Sequence, residues 1–388
     1  MVSLLLPLIY VAFISLGLPD SLLGSAWPLM VGEFSVPLSY AGIVSMIISG
    51  GTIVSSLLSD AMTRKLGTGL VTAVSVLLTA AALFGFSVSN AFWMLCLFAV
   101  PYGLGAGAVD AALNNYVALN YASRHMSWLH CFWGVGASVG PYIMGWAVGA
   151  NYGWRSGYGI ISGIQIILTL ILFLSLPIWR KKSVENSVSE DTGAPVGIGA
   201  ALKIKGVKAI LIAFFGYCAF EATAGLWASS YLVEYHGVDT ETAASFASLF
   251  FLGITAGRFL SGFVADRIGD TNMIRIGIAV ITCGVVLMAL PIHTAFTALV
   301  GLVIIGLGAA PVYPSVIHST PNRFGKENSQ AVVGIQMASA YCGSTFMPPV
   351  FGLIAQYINI AIYPYYMALF VLLLFVMTER VNRICNGK

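Results

Sequence analysis

The chain has 388 residues, of which 58% are hydrophobic and only 9% charged, with mean hydropathy +0.90 and net charge +3. A soluble domain carries about a quarter charged residues, so this composition excludes a water-covered globule and implies solvation by lipid. The six cysteines, Cys96, Cys131, Cys218, Cys283, Cys342 and Cys385, show no metal-ligand or Cys-x-x-Cys spacing, and so give no disulfide framework, metal site or redox motif.

The N-terminus opens in an apolar run with no small-residue cleavage site behind it. It reads as a retained first helix and not a signal peptide. A crossing needs about 20 mainly apolar residues, with Gly and Pro tolerated inside. On that measure the spans are 3–30, 37–59, 68–88, 91–119, 127–149 and 156–178, then 206–233, 242–263, 273–291, 295–318, 329–350 and 361–378. The expected fold is an all-α membrane protein with twelve transmembrane helices in two six-helix bundles, 1–178 and 206–388. Between them, residues 179–205 are polar and aperiodic and read as a cytoplasmic linker. An ordered amphipathic helix in its last third is the alternative.

Lys and Arg set the orientation. With the N-terminus inside, 16 of the 18 basic residues fall in inner loops or the C-terminal tail, leaving Arg155 outside and Arg258 within a span. The positive-inside rule then places both termini in the cytoplasm, and the expected location is the cell inner membrane, multi-pass.

The two halves echo each other. Asp60-Ala-Met-Thr-Arg64-Lys65-Leu-Gly67 follows the second span, and Gly262-Phe-Val-Ala-Asp266-Arg267-Ile-Gly269 follows the eighth. Each has an acid at the helix end, then a base, then a turn glycine. Such a repeat suggests halves related about the membrane normal, with solute bound between them near the midplane. The signature resembles the loop motif Gly-x-Leu-x-Asp-Arg-x-Gly-Arg-Arg of the major facilitator superfamily. The C-terminal copy follows the motif well; the N-terminal copy has Ser56 in the first Gly position and a base only at Arg64. The resemblance implies a cytoplasmic latch made by Asp266, Arg267 and Arg258, with Asp60 and Arg64. Ordinary interfacial charge is the other reading of the N-terminal set.

Ionisable groups inside a span are costly and mark function by default. Three carboxylates lie there: Asp20, Asp110 and Glu221, in the first, fourth and seventh spans. An acid that is neutral when shut from water and charged when wet suits a proton carrier. Asp110 and Asn114 share a helix face in Asp110-Ala-Ala-Leu-Asn114-Asn115-Tyr116. This run resembles the fourth-helix motif Glu-Thr-Ala-Ala-Asn-Pro-Tyr of the fucose-permease-like sugar/proton symporters, with Asp110 for Glu and Asn115 for Pro. The resemblance implies that Asp110 couples the proton. Pro19-Asp20-Ser21-Leu22-Leu23 is similar to that group's first-helix stretch Asn-Asp-x-Leu-Leu and gives Asp20 a supporting coupling or substrate role. Pro19 should also free a carbonyl one turn back and kink the span. A capped structural acid is the alternative for Asp110, and a water-reached acid for Asp20.

Glu221 with Trp227 resembles the same group's seventh-helix pattern, an acid followed six residues on by Trp. A carboxylate and aromatic faces suit a polyhydroxylated ring, so Glu221, Trp227 and Tyr231 join Asn114, Asn115 and His130 as expected cavity residues. Packing or interface roles are the alternative for Trp227 and Tyr231, and a structural role for His130. Gly136 to Pro141 resembles part of a drug/proton antiporter motif, although Gly-x-x-x-Gly is first a helix-packing device. Pro311-Val-Tyr313-Pro314 should break the tenth helix, and Tyr313 and Gln336 are further expected substrate contacts.

No nucleotide loop or catalytic triad is present in the sequence, so the expectation is a transporter and not an enzyme, with no cofactor. Its partners would be a small-molecule substrate, H+ as coupling ion and the lipid bilayer, with no nucleic acid, in a monomeric protein. The reading is proton-coupled symport of a sugar or similar small polar solute. The rivals are a proton-antiport exporter of hydrophobic compounds, which predicts an apolar cavity, and a membrane sensor, which needs an output domain.

Overall fold

The computed structural model describes residues 4–20, 22–37, 40–187, 196–290 and 295–386; residues 188–195, the middle of the expected linker, lie outside them. Among the described residues the chain is helical, with no strand. The first half holds α1 (Leu5–Gly17), α2 (Leu22–Phe34), α3 (Tyr40–Leu66), α4 (Thr68–Ser87), α5 (Phe92–Asn120), α6 (Ser123–Gly149) and α7 (Gly153–Ser187). After the short α8 (Ile198–Ala201) come α9 (Val207–His236), α10 (Thr240–Ile268), α11 (Asp270–Ala289), α12 (Ala295–Ala309) and α13 (Val312–His318). The chain ends with α14 (Thr320–Phe324), α15 (Lys326–Tyr357) and α16 (Tyr363–Asn386).

Ten spans among the described residues are long and apolar enough to cross a membrane, counting α1 with α2 and α12 with α13 as one span each. The fifth and eleventh expected spans hold α6 and α15, of 27 and 32 residues. These reach about 40 Å or more but carry more Ser, His, Gln and Gly. Several helices outrun their expected ends, as α3 does to Leu66 and α7 to Ser187. Hydropathy reports the lipid core, whereas a helix continues into the headgroup layer until its backbone is stopped.

Two of the stops carry the repeat into three dimensions. Gly67 has φ 79 and ψ 151; Gly269 has φ 78 and ψ 152. That conformation is essentially open only to glycine, and each glycine launches a 20-residue helix. The two loops that match in sequence therefore turn alike.

Proline breaks both helices where the sequence places it. The first span parts between Gly17 and Leu22 around Pro19, and the tenth between Ala309 and Val312 at Pro311. Several buried hydroxyls are satisfied inside their own helices, as Thr52 donates to Ile48 O, Thr223 to Ala219 O and Thr378 to Leu374 O, which suits a medium without water. Large apolar side chains such as Phe84, Leu174 and Phe296 stand exposed, as expected of helix faces solvated by lipid and unlike a soluble monomer.

Contacts divide the chain into two compact units. Unit 1 comprises Met1–Tyr116 and Leu129–Gly197; unit 2 comprises Val117–Trp128 and Ile198–Lys388. The core of unit 1 is built on Leu22, Trp27, Met30, Phe86, Trp154 and Tyr158.

Candidate functional site

In unit 1 the break in the first span sets Asp20 out of the regular ladder. Asp20 N donates to Gly17 O at 3.1 Å, and Leu22 N to Pro19 O at 3.1 Å, so the backbone turns and the carboxylate projects from the turn. The neighbouring α6 lies against this stretch because it carries glycines there. A Cβ at Gly136 would collide with Ile14 O, and one at Gly140 with Leu18 O. The Gly136-to-Gly140 spacing thus acts as a packing device. Close approach brings Trp133 onto the acid: its indole Nε1 donates to Asp20 Oδ2 at 2.9 Å, while the Tyr102 hydroxyl of α5 donates to Oδ1 at 3.2 Å.

A second polar cluster lies deeper in unit 1. Asp110, Asn114 and His130 are all buried. Asn114 Nδ2 donates to Asp110 Oδ1 at 2.7 Å, and His130 Nε2 lies 3.0 Å from Asn114 Oδ1. The amide oxygen only accepts, so His130 carries its proton on Nε2 in this arrangement. Phe13 presents its ring edge-on to the imidazole, with centroids 5.5 Å apart. An amide cannot pass a proton on, so Asn114 orients its two titratable neighbours and does not relay between them. Asn115 is buried too but sits about 100° further round the helix.

In unit 2 Glu221 of α9 meets Arg258 of α10, with Oε1 3.3 Å from Nη2. Arg258 is almost wholly buried and its guanidinium lies 6.0 Å from the Tyr313 ring. Tyr313 packs on Phe214 and Tyr217, and Tyr217 donates to Ala309 O at 2.8 Å, at the break between α12 and α13. Glu221 and Tyr313 are therefore brought together, around a base that the sequence places elsewhere. Arg258 does not join Asp266 in a latch. It stands eight residues earlier on α10, about 12 Å along the axis, where Glu221 is within reach.

The remaining expected contacts are packed among helices. Trp227 donates to Pro348 O at 2.9 Å and lies against Gly352, where a Cβ would meet its ring. Tyr231 is buried among Tyr235, His236 and Tyr363. Gln336 is fully buried and accepts from Thr320 Oγ1 at 3.0 Å. Tyr231 and Gln336 thus occupy helix interfaces and not a solute-facing wall, because the faces that bear them are turned towards neighbouring helices.

The loop charges find partners near their own ends. Asp60 pairs with Arg64 at 2.8 Å and accepts from Val196 N at 2.9 Å. Asp266 accepts from the Arg124 backbone N–H at 3.0 Å and lies 3.3 Å from Arg124 Nε, whereas Arg267 is exposed. Asp270 accepts from Ser123 Oγ at 2.6 Å and lies 2.7 Å from His318 Nδ1.

The family model of the Major Facilitator Superfamily matches residues 9–246 and 209–381. The chain belongs to the Major Facilitator Superfamily. As a Major Facilitator protein it is a membrane transporter and not an enzyme. Its fold is shared with solved members: a Major Facilitator transporter named FucP, crystallised in the outward conformation, aligns with TM-score 0.79 at 15% identity, covering 97% of this chain and 98% of that one. The proton:xylose symporter XylE aligns with TM-score 0.79 at 13% identity, over 96% and 94%. Among curated relatives, the glucose/mannose transporter GlcP of Bacillus subtilis is 23% identical over 79% of this chain and 77% of its own.

Several residues around the acids of this Major Facilitator chain escape a motif reading: Tyr102 and Trp133 on Asp20, Tyr217 beside Glu221, and Arg124 and His318 at the loop acids. For Trp133 a signal does exist, since it lies three residues before Gly136 and so shares the face that packs on the first helix. The others carry no such mark.

Proposed function

We propose that this Major Facilitator protein is a secondary active transporter that imports a sugar or similar small polar solute together with protons. In this reading two six-helix bundles, 1–178 and 206–388, joined by the linker 179–205, give the solute alternating access to the two sides of the membrane. Both termini lie in the cytoplasm of the inner membrane, as the distribution of Lys and Arg supports. Asp110 carries the coupling proton and Asp20 assists. Asn114, Asn115, His130, Glu221, Trp227 and Tyr313 serve solute binding directly or by holding the site.

The observation that carries this reading is the buried Asp110–Asn114–His130 cluster on membrane-spanning helices. A carboxylate held among helices in lipid is costly when charged, so protonation there exchanges with water access. Hydrogen bonding from Asn114 keeps the ionised form tolerable, which a reversible carrier requires. The names of the similar proteins also support it, because XylE is a proton:xylose symporter and GlcP a glucose/mannose transporter.

Uptake of labelled monosaccharides by proteoliposomes tests it. Accumulation should require a pH gradient, acid outside, and should collapse with a protonophore. Uptake indifferent to the gradient would remove the proton from the mechanism.

A further inference from the structure

Several bases at the loop ends of the helices are already neutralised. Arg64 pairs with Asp60, Arg124 with Asp266 and Arg275 with Glu379. Five others, on two elements of unit 2, are not: Lys203, Lys205 and Lys208 at the start of α9, and Arg380 and Arg383 near the end of α16. All five are exposed, and among the described residues none forms an ion pair.

Packing brings the two groups to one place. Gly206, with φ 92, starts α9, and a Cβ there would lie 3.6 Å from Ile384 of α16. The turn that carries Lys203 and Lys205 therefore rests on the stretch that carries Arg383. Further along, a Cβ at Gly216 of α9 would lie 3.2 Å from Leu373 of α16. The two helices thus run together, antiparallel, from this end inward.

Each helix also shows an apolar stripe that ends in these bases. On α9, Ile212 is 43% exposed and lies one turn from Lys208 on the same face. On α16, Leu372, Phe375 and Val376 are exposed, and Arg380 follows Val376 by one turn. Lys and Arg placed so lay their stems along apolar surface and set the charge at headgroup level. Two acids are near. Glu379, within range of Arg383, is held by Arg275 through bonds of 2.7 and 2.8 Å. Glu327 lies three residues beyond Phe324, which also meets Gly206. Five bases against these two acids, one of them already held, leave the site positive.

We propose that this end of α9 and α16 binds the headgroup of an anionic phospholipid of the cytoplasmic leaflet. The five bases supply the charge that holds its phosphate, and its acyl chains lie along the two apolar stripes. The leaflet follows from the orientation proposed above, and the site does not depend on which solute is carried. A lipid so seated ties the entry of the second half to the last helix.

The test is native mass spectrometry of the purified full-length protein, released from mixed micelles holding equal amounts of phosphatidylglycerol and phosphatidylcholine. Wild type should retain phosphatidylglycerol at least about tenfold over phosphatidylcholine. A base beside an anionic lipid surface strengthens association about fivefold, so Lys208→Gln should lower the preference by about that factor. The triple variant Lys203→Gln, Lys205→Gln, Lys208→Gln should abolish it, and so should Arg380→Gln with Arg383→Gln on the other helix. Lys65→Gln, an exposed base of unit 1, should change nothing. These exposed substitutions leave the core untouched, so thermal unfolding in lipid-free detergent should match wild type, which separates lost lipid from lost fold. Equal retention of the two lipids by wild type, or an undiminished preference in either multiple variant, would overturn the site. So would equal effects of Lys65→Gln and Lys208→Gln, because the preference would then follow overall charge. Displacement of the retained lipid by glycerol 3-phosphate would reassign the site to a soluble anion and overturn the lipid.

Discussion

Gln165 donates its side-chain Nε2–H to the carbonyl of Ser15 at 2.8 Å. Ser15 lies four residues before Pro19, which has no N–H to offer it. The amide of α7 thus replaces the backbone bond that the break near Asp20 removes, and its Oε1 accepts from Thr79 Oγ1 of α4 at 2.9 Å. Three helices are tied at the point where the first span turns.

Gln165→Leu should strand the Ser15 carbonyl, while the Thr79 hydroxyl keeps its bond to Val76 O at 2.9 Å. The expected loss is about 1–3 kcal/mol for the buried group left unpaired. Thermal unfolding of the detergent-purified protein checks this, and an unchanged midpoint would mean that water replaces the amide.

Asp110→Asn should abolish gradient-driven accumulation and leave energy-independent exchange largely intact. The amide keeps the size of the side chain and can still accept from Asn114, but it cannot take a transport proton. Counterflow and pH-driven uptake in the same proteoliposomes separate the two activities. Full accumulation by the variant would transfer the carrier role to another group.

The Glu221–Arg258 pair should behave as a buried ion pair does. Glu221→Gln removes the carboxylate from the buried guanidinium and should destabilise by up to about 3–5 kcal/mol. Replacing both partners with apolar residues, Glu221→Leu with Arg258→Met, should recover most of that loss. A double-mutant cycle on unfolding measures the coupling. If that doubly substituted protein is as stable as wild type but no longer binds solute, the pair belongs to the binding site and not to the framework.

His318 makes the docking of residues 117–128 depend on pH. Its Nδ1 faces an Asp270 oxygen at 2.7 Å and its Nε2 the Tyr121 carbonyl at 3.1 Å. Both partners only accept, so the two bonds are made together only by the imidazolium. Asp266 adds its charge nearby, with Arg124 on Asp266 and Arg323 within range of Asp270. Docking by these two bonds therefore needs the protonated ring, is strongest at low pH, and weakens as pH rises through and above the ordinary imidazole range. Hydrogen exchange of amides 117–128, corrected for intrinsic rates, should accelerate over that interval. In His318→Gln it should be fast and flat, and a flat profile in wild type would contradict the assignment.

The amino-acid order by itself determines the class of this protein. Its low charge requires lipid, its apolar runs place the helices, and Pro19 and Pro311 place the two breaks, because each of these is a local property of the backbone and its solvent. The paired loops were equally legible, since Gly67 and Gly269 are needed wherever a helix ends at that φ and ψ. Helix ends were not, because Leu66, Ser187 and Tyr357 continue helices beyond the apolar core, where hydropathy falls silent.

Partnership was decided only by the tertiary structure. Arg258 sits on Glu221 and not by Asp266, 113 residues separate Trp133 from Asp20, and Tyr158 lines the same cavity as Asp20. Sequence patterns show which face of a helix a residue occupies. Which face of which neighbour meets it depends on how closely glycines such as Gly136 and Gly140 let two backbones approach, and that distance exists only once the helices are packed.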